Sequence, residues 1–155
     1  MIFVDEAGRL KRHTKLDNLV DQDNLDEFID ILRRRKPDVI VIGGFSMATA
    51  KLAQRIKEIV QRKDEGGLEQ SYSAEEEFRI PVIYVFDDVA RMYQHSKRAA
   101  DEFSALSPIA KYCVGLARYT QSPLNEYAAL GPDITSISFD EDNQQLVSFR
   151  SVLGT

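Results

Sequence analysis

The sequence predicts an α/β domain built on a pair of parallel strands, and three observations carry that prediction. Two runs, Val39 to Ile42 and Val82 to Phe86, are apolar without polar alternation, as strands covered on both faces are. Between them Leu52, Ile56, Ile59 and Val60 share one face of a helix. The runs end in Gly43-Gly44 and in Asp87-Asp88. Strand, helix and strand in that order make a right-handed βαβ unit. A chain of 155 residues suits one domain, residues 1–155, with one sizeable core.

The flanking elements follow in order. Met1 to Val4 is a short apolar strand, Ala7-Gly8 a turn, and Leu10 to Leu16 a weak strand returning antiparallel. A first helix is expected near Asp23, with Leu25, Phe28, Ile29 and Leu32 at i, i+3, i+4 and i+7. Arginines close it, and Pro37 disfavours helix at Lys36. Ser46 can cap the second helix. The polar stretch 64–79 reads as a long loop. After Val89 the chain is helical with interruptions. Pro108 opens a helix through Ala110, Val114, Ala117 and Arg118, and Pro123 opens a short one, Leu124 to Leu130. A brief strand is expected over Ile134 to Phe139.

Composition narrows the function. No apolar run approaches the length of a membrane span, no leader pattern is visible, and Cys113 is the only cysteine. An intracellular chain without an internal disulfide is the expectation. The net charge of −5 argues against generic binding to a phosphate backbone. Its concentrated cations are Arg33-Arg34-Arg35-Lys36 and Lys97-Arg98. They read either as solvated helix ends, where cations suit the C-terminal dipole, or as a contact for nucleic acid or an acidic partner.

Candidate chemistry is sparse. "GGFSMATAK" matches neither phosphate-loop pattern, and bulky Phe45 follows the glycines, so Gly43-Gly44 reads as a turn. His13 and His95 have no second His or Cys at ligand spacing, which leaves them as surface or interface residues. Cys113 shares a helical face with Ile109, Leu116 and Ala117, the setting of a buried, inert thiol. Asp87 and Asp88 end an apolar strand where α/β folds place their sites. They read as a helix cap or as part of a carboxylate set.

Three stretches, "KPDVIVIGG", "DDVARMYQHSKRAADEF" and "SPIAKYCVGLARYTQSPLNEYAALGPDITSISFDEDNQQL", together resemble the YqgF-type RNase H-like domain. The version they resemble sits in a large eukaryotic transcription elongation factor and histone chaperone. Gly115 to Glu126 carries the more specific pattern, and "VDEAGRLKRHTKLDNL" resembles the fungal members. The resemblance implies a three-layer RNase H-like fold with a mixed sheet, and a chain that is a fragment of a much larger protein. Its first strand, which would lie centrally between the second and fourth, has no counterpart, since Met1 to Val4 matches the second. A partner segment, the tail around Gln145 to Val152, or a strand-swapped or augmented dimer would fill the slot.

Nucleases of this fold carry carboxylates on the first strand, near the end of the fourth, and later. Here the fourth strand exits through Gly43, Gly44, Phe45 and Ser46, with no carboxylate. Asp87 and Asp88 match the acidic position after the fifth strand. The aspartate that precedes the later proline in Tex-like bacterial sequences is replaced by Ser122. The implied function is a pseudo-nuclease without cofactor or metal: a nuclear scaffold working with RNA polymerase II and histones, and making no membrane contact. One alternative is a non-catalytic nucleic-acid-binding module using Arg33 to Lys36 with Lys97 and Arg98. The other is a metal-dependent nuclease or resolvase using Asp87, Asp88 and Glu126.

Overall fold

A computed structural model of the chain describes residues 1–61 and 79–131. The expected strand at Ile134 to Phe139, the tail around Gln145 to Val152 and nearly all of the 64–79 loop lie outside the described residues. The fold is mixed α/β. Strand β1 (Ile2–Val4) pairs antiparallel with β2 (Leu10–His13), and β3 (Ile40–Gly43) pairs parallel with β4 (Val82–Val85). The helices are α1 (Gln22–Arg35), α2 (Met47–Gln61), α3 (Asp88–Gln94), α4 (Lys97–Glu102), α5 (Pro108–Gln121) and α6 (Pro123–Ala129).

Local chemistry sets most boundaries. Asp5 makes the β1–β2 turn: its Oδ1 accepts from the backbone N–H of Ala7 and Arg9 at 3.0 and 2.9 Å. Gly8 takes φ +72 in that turn, conformational space that costs a side chain energy. Helix α1 starts at Gln22, close to the expected Asp23, and its cap is Asp21, whose Oδ1 accepts from the N–H groups of Asp23 and Asn24. It ends at Lys36, which turns left-handed before Pro37. Ser46 caps α2 as expected. Its Oγ accepts from Thr49 N–H at 3.2 Å, while Thr49 Oγ1 accepts from Ser46 N–H at 2.8 Å. Pro108 and Pro123 each open their helix.

The largest core lies between α1, β3 and α2. Leu19, Leu25, Phe28 and Leu32 pack on Ile42 and on Ala53, Ile56, Ile59 and Val60, and each large apolar side chain contributes about 1.5–3 kcal/mol. Leu52, expected on that face, is exposed, and Ala53 takes its place. Two smaller clusters bind the helical half: Val89 with Tyr127, and Tyr93 with Ala99 and Val114.

One strand expectation needs correction. Strands covered on both faces were expected, yet Ile83 and Tyr84 of β4 are each 37% exposed. Helix α2 packs on both β3 and β4, while α5 adds its main cover to β3, which leaves β4 the more open strand. Among the described residues the strands form two two-stranded sheets, β1 with β2 and β3 with β4. Helix α5 packs against both β1 and β3 and so joins the two halves.

Candidate functional site

The parallel pairing of β3 with β4 brings their exits together, and with them the two positions singled out in the sequence. Gly44 N–H donates to Val85 C=O at 3.1 Å, which sets the glycine turn beside Asp87. Gly44 has φ +81, and a Cβ placed on it would stand 3.2 Å from Asp87 Oδ2. A Cβ on Gly43 would fall 2.0 Å from the Tyr112 hydroxyl and 2.8 Å from Leu116 Cδ2. Both glycines are therefore required for steric or backbone reasons, in agreement with a turning role.

Asp87 sits at the N-cap position of α3, yet its side chain makes no capping bond. Its Oδ2 accepts from the Tyr112 hydroxyl at 3.0 Å, and its Oδ1 lies 3.5 Å from Arg91 Nε. Arg91 Nη2 also donates to Asp88 Oδ1. The capping alternative for Asp87 thus gives way to a side-chain cluster reaching from α3 to α5. Burial, followed by the bond to Asp87, holds the Tyr112 hydroxyl well above the ordinary tyrosine range. Asp88, followed by Asp87, stabilises the charged Arg91 guanidinium further.

Glu126 does not join this cluster. It is buried, and its carboxylate takes Arg98 Nη1 at 3.0 Å and Nη2 at 3.4 Å. Among the described residues no group of three or more His, Cys, Asp or Glu side chains could hold a metal ion. Two-metal hydrolysis requires converging carboxylates open to the cation, a set that the described residues alone do not supply. Beyond the glycines, Phe45 is 64% exposed, with its ring centroid 5.1 Å from Phe86 and 5.8 Å from Tyr84.

The basic residues divide. Arg33, Arg34, Arg35 and Lys36 close α1 as an exposed basic turn. Within it Arg34 pairs with Asp30 at 2.8 Å and Arg35 lies over the Phe3 ring. Lys97 and Arg98 were read as residues of a helix end where cations suit the dipole, but they open α4. A cation there is disfavoured by the dipole, and Arg98 is held instead by Glu126 and by the Tyr93 ring. His13 and His95 are exposed, as expected. Cys113 is half-buried and burial pushes its thiol up, which fits an inert role, although Ile109 on its expected face is exposed.

Sequence reading missed Arg91, Tyr112 and the ion pair of Arg118 with Glu102. Arg91 was legible at i+4 from Asp87 and i+3 from Asp88. Tyr112 was not, because only the packing of α5 brings it there.

Residues 1–131 match the family model described as YqgF, Holliday-junction resolvase-like of SPT6. The transcription elongation factor spt6 of Aspergillus fumigatus is 41% identical over 97% of this chain and 11% of its own length. The SPT6 proteins of Mycosarcoma maydis and Saccharomyces cerevisiae are 36% and 37% identical, over 94% and 95% of this chain. The chain spans about a tenth of the length of these curated relatives. A match over residues 1–131 together with identities of this order shows that the chain belongs to the YqgF, Holliday-junction resolvase-like domain family of SPT6 proteins.

Proposed function

We propose that the chain is a catalytically inactive, nuclease-like scaffold domain of a nuclear transcription elongation factor and histone chaperone that acts with RNA polymerase II. The relatives are named as transcription elongation factors, which supports the process. The observation that carries the inactivity is the closure of Asp87 and Asp88 on Arg91 and Tyr112, with glycine where a facing carboxylate is needed. The domain holds neighbouring modules in register and offers its surfaces to the transcription machinery.

The three-layer RNase H-like arrangement belongs to the same proposal. Among the described residues β1 is paired only with β2 and β3 only with β4, while α5 packs on both β1 and β3. An added strand between β1 and β3 would merge the two sheets, supplied by another segment of the parent protein or by a second copy. A nucleic-acid-binding role is favoured by one observation, the exposed basic turn Arg33 to Lys36. It predicts affinity that falls steeply with salt.

The test is a nuclease and binding assay with Mn²⁺ on branched, single-stranded and duplex substrates, with Asp87→Asn/Asp88→Asn as control. No cleavage is expected. Cleavage that disappears in the control would overturn the inactive reading.

A further inference from the structure

The fold family implies a divalent cation at the acidic position beside β4, and the residues around that position do not fit one. We infer that Arg91 and Tyr112 stand in for the cation, so that the Asp87-Asp88 pair is complete without metal. The inference rests on the non-catalytic reading above and deepens it.

Both carboxylates are already engaged. Arg91 lies one turn into α3, its Nε 3.5 Å from Asp87 Oδ1 and its Nη2 bonded to Asp88 Oδ1. The second oxygen of Asp87 takes the Tyr112 hydroxyl at 3.0 Å. A hard cation collects six or more oxygens. Here it would compete with a guanidinium and a phenol for two carboxylates, facing a glycine at position 44. The guanidinium keeps its charge at every physiological pH and repels a second positive ion. The substitution also has a mechanical consequence. A metal would tie the exits of β3 and β4 to the following helix only when bound, whereas Arg91 and Tyr112 tie β4's exit, α3 and α5 permanently.

The test titrates Mn²⁺ by calorimetry into the full 155-residue chain and into Arg91→Gln and Arg91→Lys. Mn²⁺ broadening of the Gly44 and Asp87 amide signals is followed in the unsubstituted chain. Expected are no saturable heat and no local broadening at millimolar Mn²⁺ in the unsubstituted chain and in Arg91→Lys. Arg91→Gln should bind at least about tenfold more tightly, the order of effect of removing an opposite charge at this distance. Local broadening in the unsubstituted chain overturns the inference, and so does a folded Arg91→Gln with no gain. If Arg91→Gln does not fold, the broadening experiment decides alone. Mn²⁺ binding without cleavage would remove this inference and leave the inactive reading standing. Cleavage dependent on Asp87 would remove both.

Discussion

The Tyr112 hydroxyl donates to Asp87 across 3.0 Å while standing in the space a side chain at Gly43 would need. One group thus closes the acidic position and enforces glycine at the strand exit. Gly43→Ala should cost about 2–3 kcal/mol, because the added methyl overpacks against the phenol and Leu116. Tyr112→Phe alone should cost about 1 kcal/mol for its lost hydrogen bond. The double variant should lose less than the sum, since without the hydroxyl the methyl has fewer atoms to displace. Urea melts of all four proteins measure this. Strict additivity would mean that methyl and hydroxyl do not compete for one space.

Arg118 is the most heavily engaged cation of α5. Its Nε donates to the Gly8 carbonyl at 2.9 Å, its two terminal nitrogens grip Glu102 at 2.8 and 2.5 Å, and its guanidinium lies over Phe103. It ties the β1–β2 turn to the helical half. Arg118→Met should destabilise by about 2–4 kcal/mol, since it leaves a buried carbonyl without its donor and removes a charge-assisted pair. Lysine cannot reproduce the fork and should recover only part of the loss. Chemical denaturation decides, and a Met variant within about 0.5 kcal/mol of the parent would strip Arg118 of this role.

The elements legible in the sequence were those whose cause is local. Periodicity placed α1 and α2, Ser46 and the prolines marked helix starts, and Pro37 placed the end of α1. What stayed hidden depends on residues far apart in sequence. Nothing near Asp87 indicates Tyr112, 25 positions later, and nothing near Gly8 indicates Arg118. Burial of β4 was overestimated for a related reason: an apolar run reports that a strand can be covered, while the number of layers packed on it decides whether it is. The acidic position itself was legible, because a strand exit bearing two aspartates is a local pattern.

Acid should destabilise the fold through carboxylates whose charge the native state favours. Asp5 falls to about 2, chiefly because Arg9 N–H donates to it, with Lys11, Ala7 and the Arg9 side chain adding to the effect. Glu27 is lowered by the Thr14 hydroxyl and then Arg12, and Glu102 by Arg118. Each folded-state value lies below the unfolded one, so the unfolded chain binds more protons in acid. The stabilisation is therefore complete above the unfolded values near about pH 4 and is lost as pH falls towards the folded ones. Melting temperature should drop from pH 5 to the Asp5 value of about 2, and Asp5→Asn should flatten the acid end of the curve. An unchanged slope in that variant would mean that the turn geometry does not depend on the charge of Asp5.

Lys36 holds φ 44 and ψ 60 at the end of α1, where its N–H closes on the Leu32 carbonyl. A left-handed backbone costs a residue with a Cβ about 1–2 kcal/mol, and glycine avoids that cost while giving up part of the gain in unfolded-state entropy. Lys36→Gly should therefore stabilise the domain by about 0.5–1 kcal/mol. It also removes one charge from the basic turn of Arg33 to Lys36. The same variant therefore separates two roles: a urea midpoint that rises with nucleic-acid affinity unchanged assigns Lys36 to the helix end. A midpoint that falls would show that the lysine side chain contributes more to the fold than its backbone strain costs.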